Sequence, residues 1–105
     1  MPNGHDKNWV RLCGALDGFY VRFGHWPKTV KIAPVSLEDI RDNLFTPNEY
    51  AKINAKVALL AEANSNGTSF IAEDGSGRAY DYSTEGFPDR RPNPSAAEWL
   101  DVEPK

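Results

Sequence analysis

Apolar residues recur at spacings of three and four along the first segment: Trp9, Leu12, Cys13, Leu16, Phe19, Tyr20 and Phe23. That period predicts a helix from Asp6 to Phe23 with one apolar stripe. Asp6 suits the N-cap and Gly24 the C′ position, and Pro27 blocks continuation. From Thr29 to Ala33 the period drops to two. Val30 and Ile32 fall on one side and Lys31 on the other, which predicts a short strand bounded by Pro27 and Pro34.

Ser36-Leu37-Glu38-Asp39 has the form of a capping box opening a short helix that carries Leu37, Ile40, Leu44 and Phe45. A second box, Thr46-Pro47-Asn48-Glu49, adds proline at the first helical position and places Tyr50 and Ile53 on one side. The run KVALLAEA reads two ways. Helix propensity favours continuation to about Ala63. A strand over Val57 to Ala61 would instead give the downstream hairpin the neighbour that an isolated hairpin lacks, and the strand is preferred on that ground. Asn64 to Thr68 is a loop by composition.

Ser69 to Ser83, SFIAEDGSGRAYDYS, reads as a β-hairpin. With a type II′ turn centred on Gly75-Ser76, Glu73 faces Arg78, Ile71 faces Tyr80 and Ser69 faces Tyr82. From Glu85 onward three prolines in GFPDRRPNPS predict an extended arm. A third capping box, Ser95 to Glu98, starts a helical turn carrying Trp99 and Leu100, and DVEPK at the end is expected to fray. The expected class is α+β: the N-terminal helix and one or two short helices packed on a small antiparallel sheet of three to four strands, including the 69–83 hairpin. Residues 1–84 form the domain. Residues 85–105 form a Pro-rich arm docked on it or on a partner.

Composition narrows the function classes. A chain of 105 residues, 40% hydrophobic and 11% aromatic, supports one modest core. The net charge of −3 argues against a dedicated nucleic-acid binder. Cys13 is the sole cysteine, so no intrachain disulfide and no cysteine zinc site can form. No apolar run approaches the ~20 residues of a spanning helix, and the first residues lack the layout of a signal peptide. The expectation is a soluble cytoplasmic protein. No Walker loop, dinucleotide fingerprint, nucleophile elbow, HExxH or EF-hand loop is present, and no cofactor or metal is expected.

Four groups of residues are candidates for chemistry. Gly14 and Gly18, flanked by Val10 and Val21, lie opposite the apolar stripe, where a small-residue face would admit a partner helix or a second copy of the chain. His25, beside Trp26-Pro27, either carries protons or sits in a rigid connection. Tyr80 and Tyr82 share one strand face and Asp81 takes the other; with Glu73 and Asp74 they form an interface, or the tyrosines pack in the core. Asp89, Arg90, Arg91 and Trp99 belong to the arm, and Arg and Trp are favoured at interface centres. Cys13 reads as buried and inert. The first expectation is a non-enzymatic protein acting by protein–protein contact through a sheet face, the tyrosines and the arm: a regulator, an immunity-type inhibitor or an accessory protein. One alternative is a ligand-binding domain or enzyme using His25 with Asp81 or Glu85. Another is nucleic-acid contact through Arg78, Arg90, Arg91 and aromatic stacking.

Overall fold

The computed structural model describes residues 7–62 and 69–102. The expected Asp6 cap, the 64–68 loop and residues 103–105 lie outside them, whereas Asp101 and Val102, expected to fray, are held: Asp101 is bonded by Lys52 and Val102 is buried. Helix α1 spans Lys7–Phe23 and ends where expected: Gly24 takes a φ of 82° and its N–H bonds the Tyr20 carbonyl at 2.7 Å. Trp9, Leu12, Leu16 and Phe19 are all buried. Strand β1, Thr29–Ile32, buries Val30 and Ile32 completely.

The next helix, α2, corrects the Ser36 capping box. It spans Pro34–Asp39 with Ala33 at the N-cap and proline in the first turn, so Ser36 lies inside the helix and is buried. Proline's fixed φ preorganises the start three residues earlier. The chain continues as a π-helical turn, Ile40–Leu44, which delivers Ile40, Leu44 and Phe45 to the core. Helix α3, Pro47–Lys56, has the reciprocal box foreseen: Glu49 N–H donates to Thr46 Oγ1 at 3.2 Å and Thr46 N–H donates to Glu49 Oε1 at 3.0 Å. Val57 is extended and strand β2, Ala58–Ala61, follows, in line with the preferred reading of this stretch.

Strands β3, Phe70–Glu73, and β4, Ala79–Asp81, complete a four-stranded sheet in the order β2-β1-β3-β4. β1 pairs with β3 and β3 with β4 antiparallel, whereas β1 and β2 are parallel, so the α+β class holds with a mixed sheet. The helical crossover through α2 and α3 makes that parallel pair possible. Val30, Ile32, Leu59, Phe70, Ala72 and Tyr80 share the core face. Lys31, Leu60, Ile71 and Glu73 share the other, where Leu60 is 44% exposed and Lys31 pairs with Glu73 at 3.3 Å.

The hairpin register differs from the expected one by a residue. Glu73 faces Ala79, Ala72 faces Tyr80 and Ile71 faces Asp81. The cause is the loop. Asp74 Oδ1 accepts from the Ser76 N–H at 2.9 Å and from its hydroxyl at 2.7 Å, while Gly75 and Gly77 both take positive φ, 84° and 99°. This loop runs from Asp74 to Arg78 and replaces the two-residue turn. A one-residue slip exchanges the faces of a strand, which sends Tyr80 to the core. Asp81 then accepts from the Ser83 N–H at 3.0 Å and caps a short helix, α4, Tyr82–Glu85, so Tyr82 leaves the sheet. Helix α5, Ala96–Leu100, opens on Ser95, whose N–H and hydroxyl donate to Glu98, and it packs on α1 with Ala96 and Leu100 fully buried. No helix among the described residues is long and apolar enough to cross a membrane.

Asp74 is the electrostatic centre of the loop. Both Ser76 donors and then His25 hold its carboxyl well below the usual range. A group lowered in this way stabilises the fold above its unfolded pKa, and that contribution disappears as pH falls through the folded value. Asp74→Asn is expected to melt below the parent at pH 7. The gap should close progressively below about pH 4 in thermal melts followed by tryptophan fluorescence; a gap unchanged down to pH 2 would contradict the assignment.

Candidate functional site

The glycine pair of α1 is filled from within the chain, which corrects the reading of an open small-residue face. A Cβ on Gly18 would lie 2.2 Å from the Tyr80 ring, and one on Gly14 would lie 2.6 Å from Tyr82 and 3.0 Å from Phe87. Tyr80 is buried, its hydroxyl donates to the Gly86 carbonyl at 2.7 Å, and the Arg22 guanidinium lies 4.9 Å from its ring centre. Tyr82 is half-buried and meets Phe87 edge-on at 5.1 Å. The two tyrosines therefore pack on α1, not together on a sheet face.

The arm then turns back along α1. Asp17, a residue with no signal in the sequence beyond its place in the helix, is buried and accepts from the Ala96 N–H at 2.7 Å. It satisfies a backbone donor that α5 cannot satisfy itself. Burial raises its pKa above the ordinary value, opposed by the Ala96 bond and by Arg91. Trp99 stacks on Trp26 at 4.5 Å and 7°, and Trp26 meets Tyr20 at 4.5 Å. Lys52 bonds the Asp101 carboxylate at 2.9 Å, and Lys56 donates to the Trp99 carbonyl.

Between α1 and the arm lies a cleft of about 480 Å³. Trp9, Val10, Cys13 and Asp17 line it from α1, and Phe87, Pro88, Asp89, Arg90 and Arg91 from the arm. Phe87 is 56% exposed. Among the described residues, Arg90 and Arg91 make no hydrogen bond or ion pair, although Arg91 acts electrostatically on Asp17, Cys13 and Glu98. Burial, and then Asp17, push the Cys13 thiol far above its ordinary range, which disfavours the nucleophilic thiolate.

The other candidate groups stand apart from the cleft. His25 Nε2 lies 2.9 Å from Asp74, and its Nδ1 lies 3.2 Å from the Phe23 carbonyl. Asp81 caps α4, and Glu85 pairs with Arg22, so the expected partnership of His25 with those two carboxylates does not form. Ser76 donates to Asp74 and not to His25, so this cluster is not a nucleophile–base relay. Arg78 is held by Ser76 Oγ at 2.6 Å and lines neither concavity that Arg90 and Arg91 share. Among the described residues no group of three or more His, Cys, Asp and Glu side chains could hold a metal. Comparisons with family models, curated proteins and solved structures find no match to this chain.

Two variants probe how the arm is held. Gly18→Ala should lower stability by about 1–3 kcal/mol through overpacking, against a helix-propensity gain of about 1 kcal/mol. Gly14→Ala should cost less, because Tyr82 is half-exposed and has room to yield. Urea denaturation read by tryptophan fluorescence separates them; a stabilised Gly18→Ala would refute the close contact. For Asp17 the sign is opposite to that of Asp74. A carboxyl raised in the fold loses stabilisation as pH rises from its unfolded value, about 3.9. The stability of Asp17→Asn relative to the parent should therefore increase with pH above about 4, and a difference independent of pH from 3 to 8 would rule out a buried, titrating Asp17.

Proposed function

We propose that the chain is a non-enzymatic binding protein that acts by protein–protein contact, and that the contact is made at the cleft between α1 and the arm. One observation carries this reading. Two guanidiniums that make no hydrogen bond or ion pair among the described residues stand beside an exposed phenylalanine over a concave, partly aromatic floor. Arg and aromatic residues dominate the energetics of interfaces, and the cleft lies within the range of sites that bury a ligand. Tyr82 packs edge-on against that phenylalanine. A cytoplasmic regulator, inhibitor or accessory protein fits this reading.

A second reading rests on the open sheet face, where Leu60 is 44% exposed beside Lys31 and Ile71. An antiparallel or mixed sheet with one solvated face is ordinary, so the exposed leucine is the only feature that favours it. The two readings separate by affinity capture from the native lysate at high salt. The bait is used as parent, as the double variant Arg90→Ala/Arg91→Ala, and as Ile71→Lys. The cleft reading expects one stoichiometric protein retained by parent and Ile71→Lys and lost by the double variant. The reverse pattern moves the interface to the sheet. Retention by all three baits, or by none, refutes contact at the cleft.

A further inference from the structure

The cleft between α1 and the arm holds an acceptor that the fold leaves open. Asp17 is only 8% exposed, and its Oδ1 is taken by the Ala96 N–H. Its Oδ2 makes no hydrogen bond among the described residues. No buried side-chain oxygen or nitrogen among them lacks a partner, so Oδ2 is not sealed in the core. It opens where Asp17 lines the cleft. Burial disfavours the charged form of this carboxyl, and a donor at the open oxygen offsets that penalty.

The surroundings define what carries the donor. Trp9, Cys13 and Asp17 follow one another at intervals of four and share one side of α1. At 1.5 Å per residue that side is about 12 Å long. Val10 and Ala97 border it, and Phe87 and Pro88 line the cleft from the arm, so the seat is largely apolar. Charge is already balanced there. Arg91 acts on Asp17, Cys13 and Glu98, and the exposed Asp89 offsets Arg90. An anion gains no net attraction from this set, and an ammonium would enter beside two guanidiniums. A neutral donor on an apolar body is the complement. Among protein side chains, indole and phenol join a large apolar ring to one donor at its edge.

We infer that the cleft receives an aromatic side chain of the partner protein, a tryptophan or tyrosine, whose N–H or O–H donates to the open oxygen of Asp17 while its ring lies against Trp9, Val10 and Phe87. This rests on the cleft reading above and specifies what the partner inserts. The test is titration of the full-length, isotopically labelled protein, followed in proton–nitrogen correlation spectra. The probes are end-capped tripeptides of glycine with tryptophan, tyrosine or phenylalanine at the centre, and indole, N-methylindole and n-butylammonium. The Ala96 amide is the direct reporter, because it shares the Asp17 carboxylate. Asp17 also holds α5, so the donor is removed on the ligand, by N-methylation, and not by a variant of Asp17. Phe87→Ala and the sheet-face variant Ile71→Lys are titrated in parallel, and the same spectra verify that each is folded.

The expected result is that indole, with the tryptophan or the tyrosine peptide, shifts the Ala96 amide together with those of Val10, Cys13 and Phe87. N-methylindole and the phenylalanine peptide should bind about tenfold more weakly. Phe87→Ala should also weaken binding, and Ile71→Lys should leave it unchanged. Equal binding of indole and N-methylindole that still depends on Phe87 would overturn the Asp17 bond and leave the cleft reading standing. Binding of indole without binding of either donor peptide would overturn the partner side chain in favour of a small aromatic ligand. Tighter binding of n-butylammonium would overturn the neutral donor. No shift at the cleft residues with any probe would overturn the inference, while the cleft reading still answers to the capture experiment.

Discussion

The contact between Tyr80 and Gly18 organises this chain. A helix interior with two glycines is weak on its own, because each costs about 1 kcal/mol relative to alanine. Here the missing side chain is the point of contact: a single methyl group at residue 18 would overlap the Tyr80 ring. The ring brings β4 onto α1, its hydroxyl holds the Gly86 carbonyl, and Arg22 covers its outer face while pairing with Glu85. One aromatic side chain thus fixes sheet to helix and also the point from which the arm departs.

Everything after residue 86 depends on that departure. Helix α5 has five residues, too few to persist alone because helix nucleation is costly. It is held by burial of Ala96 and Leu100, by its own Ser95–Glu98 box, and by Asp17, which reaches from the middle of α1 to its first backbone donor. The Trp26–Trp99 stack and the two lysines of α3 hold its far end. α1 consequently has little free surface: residues 14 to 19 are all buried, between the sheet and the arm.

What could be read from the sequence was local. The α1 stripe, the Gly24 stop, the Thr46 box with Pro47 and the Ser95 box are each decided within a few residues, and each stands. The hairpin register was not local enough. Pairing chemistry favoured Glu73 opposite Arg78, but the Asp74–Ser76 bonds and two positive-φ glycines lengthen the loop, and Glu73 finds its cation in Lys31 across the neighbouring strand. At Ser36 a capping pattern lost to a proline two residues earlier. Asp17 was missed because its role exists only once α5 arrives from 79 residues away. Arg90 and Arg91 were legible as candidates from residue type alone. Their place in the lining of the cleft beside α1 required the folded arm.

The two walls of the cleft between α1 and the arm are unequal. α1 is embedded in the core, whereas the opposite wall, from Phe87 to Asn93, has no regular helix or strand and is attached at its ends, by Tyr80 and Gly86 on one side and by α5 on the other. A segment anchored in this way has few contacts of its own, so its local opening is easier than global unfolding. A ligand that touches both walls binds only the docked arrangement. Mass action then makes its binding energy appear as added stability of the arm. The cleft is thereby coupled to the same Tyr80–Gly18 contact that sets the fold. Loosening that contact would loosen the arm that walls the cleft without altering a single residue that lines it.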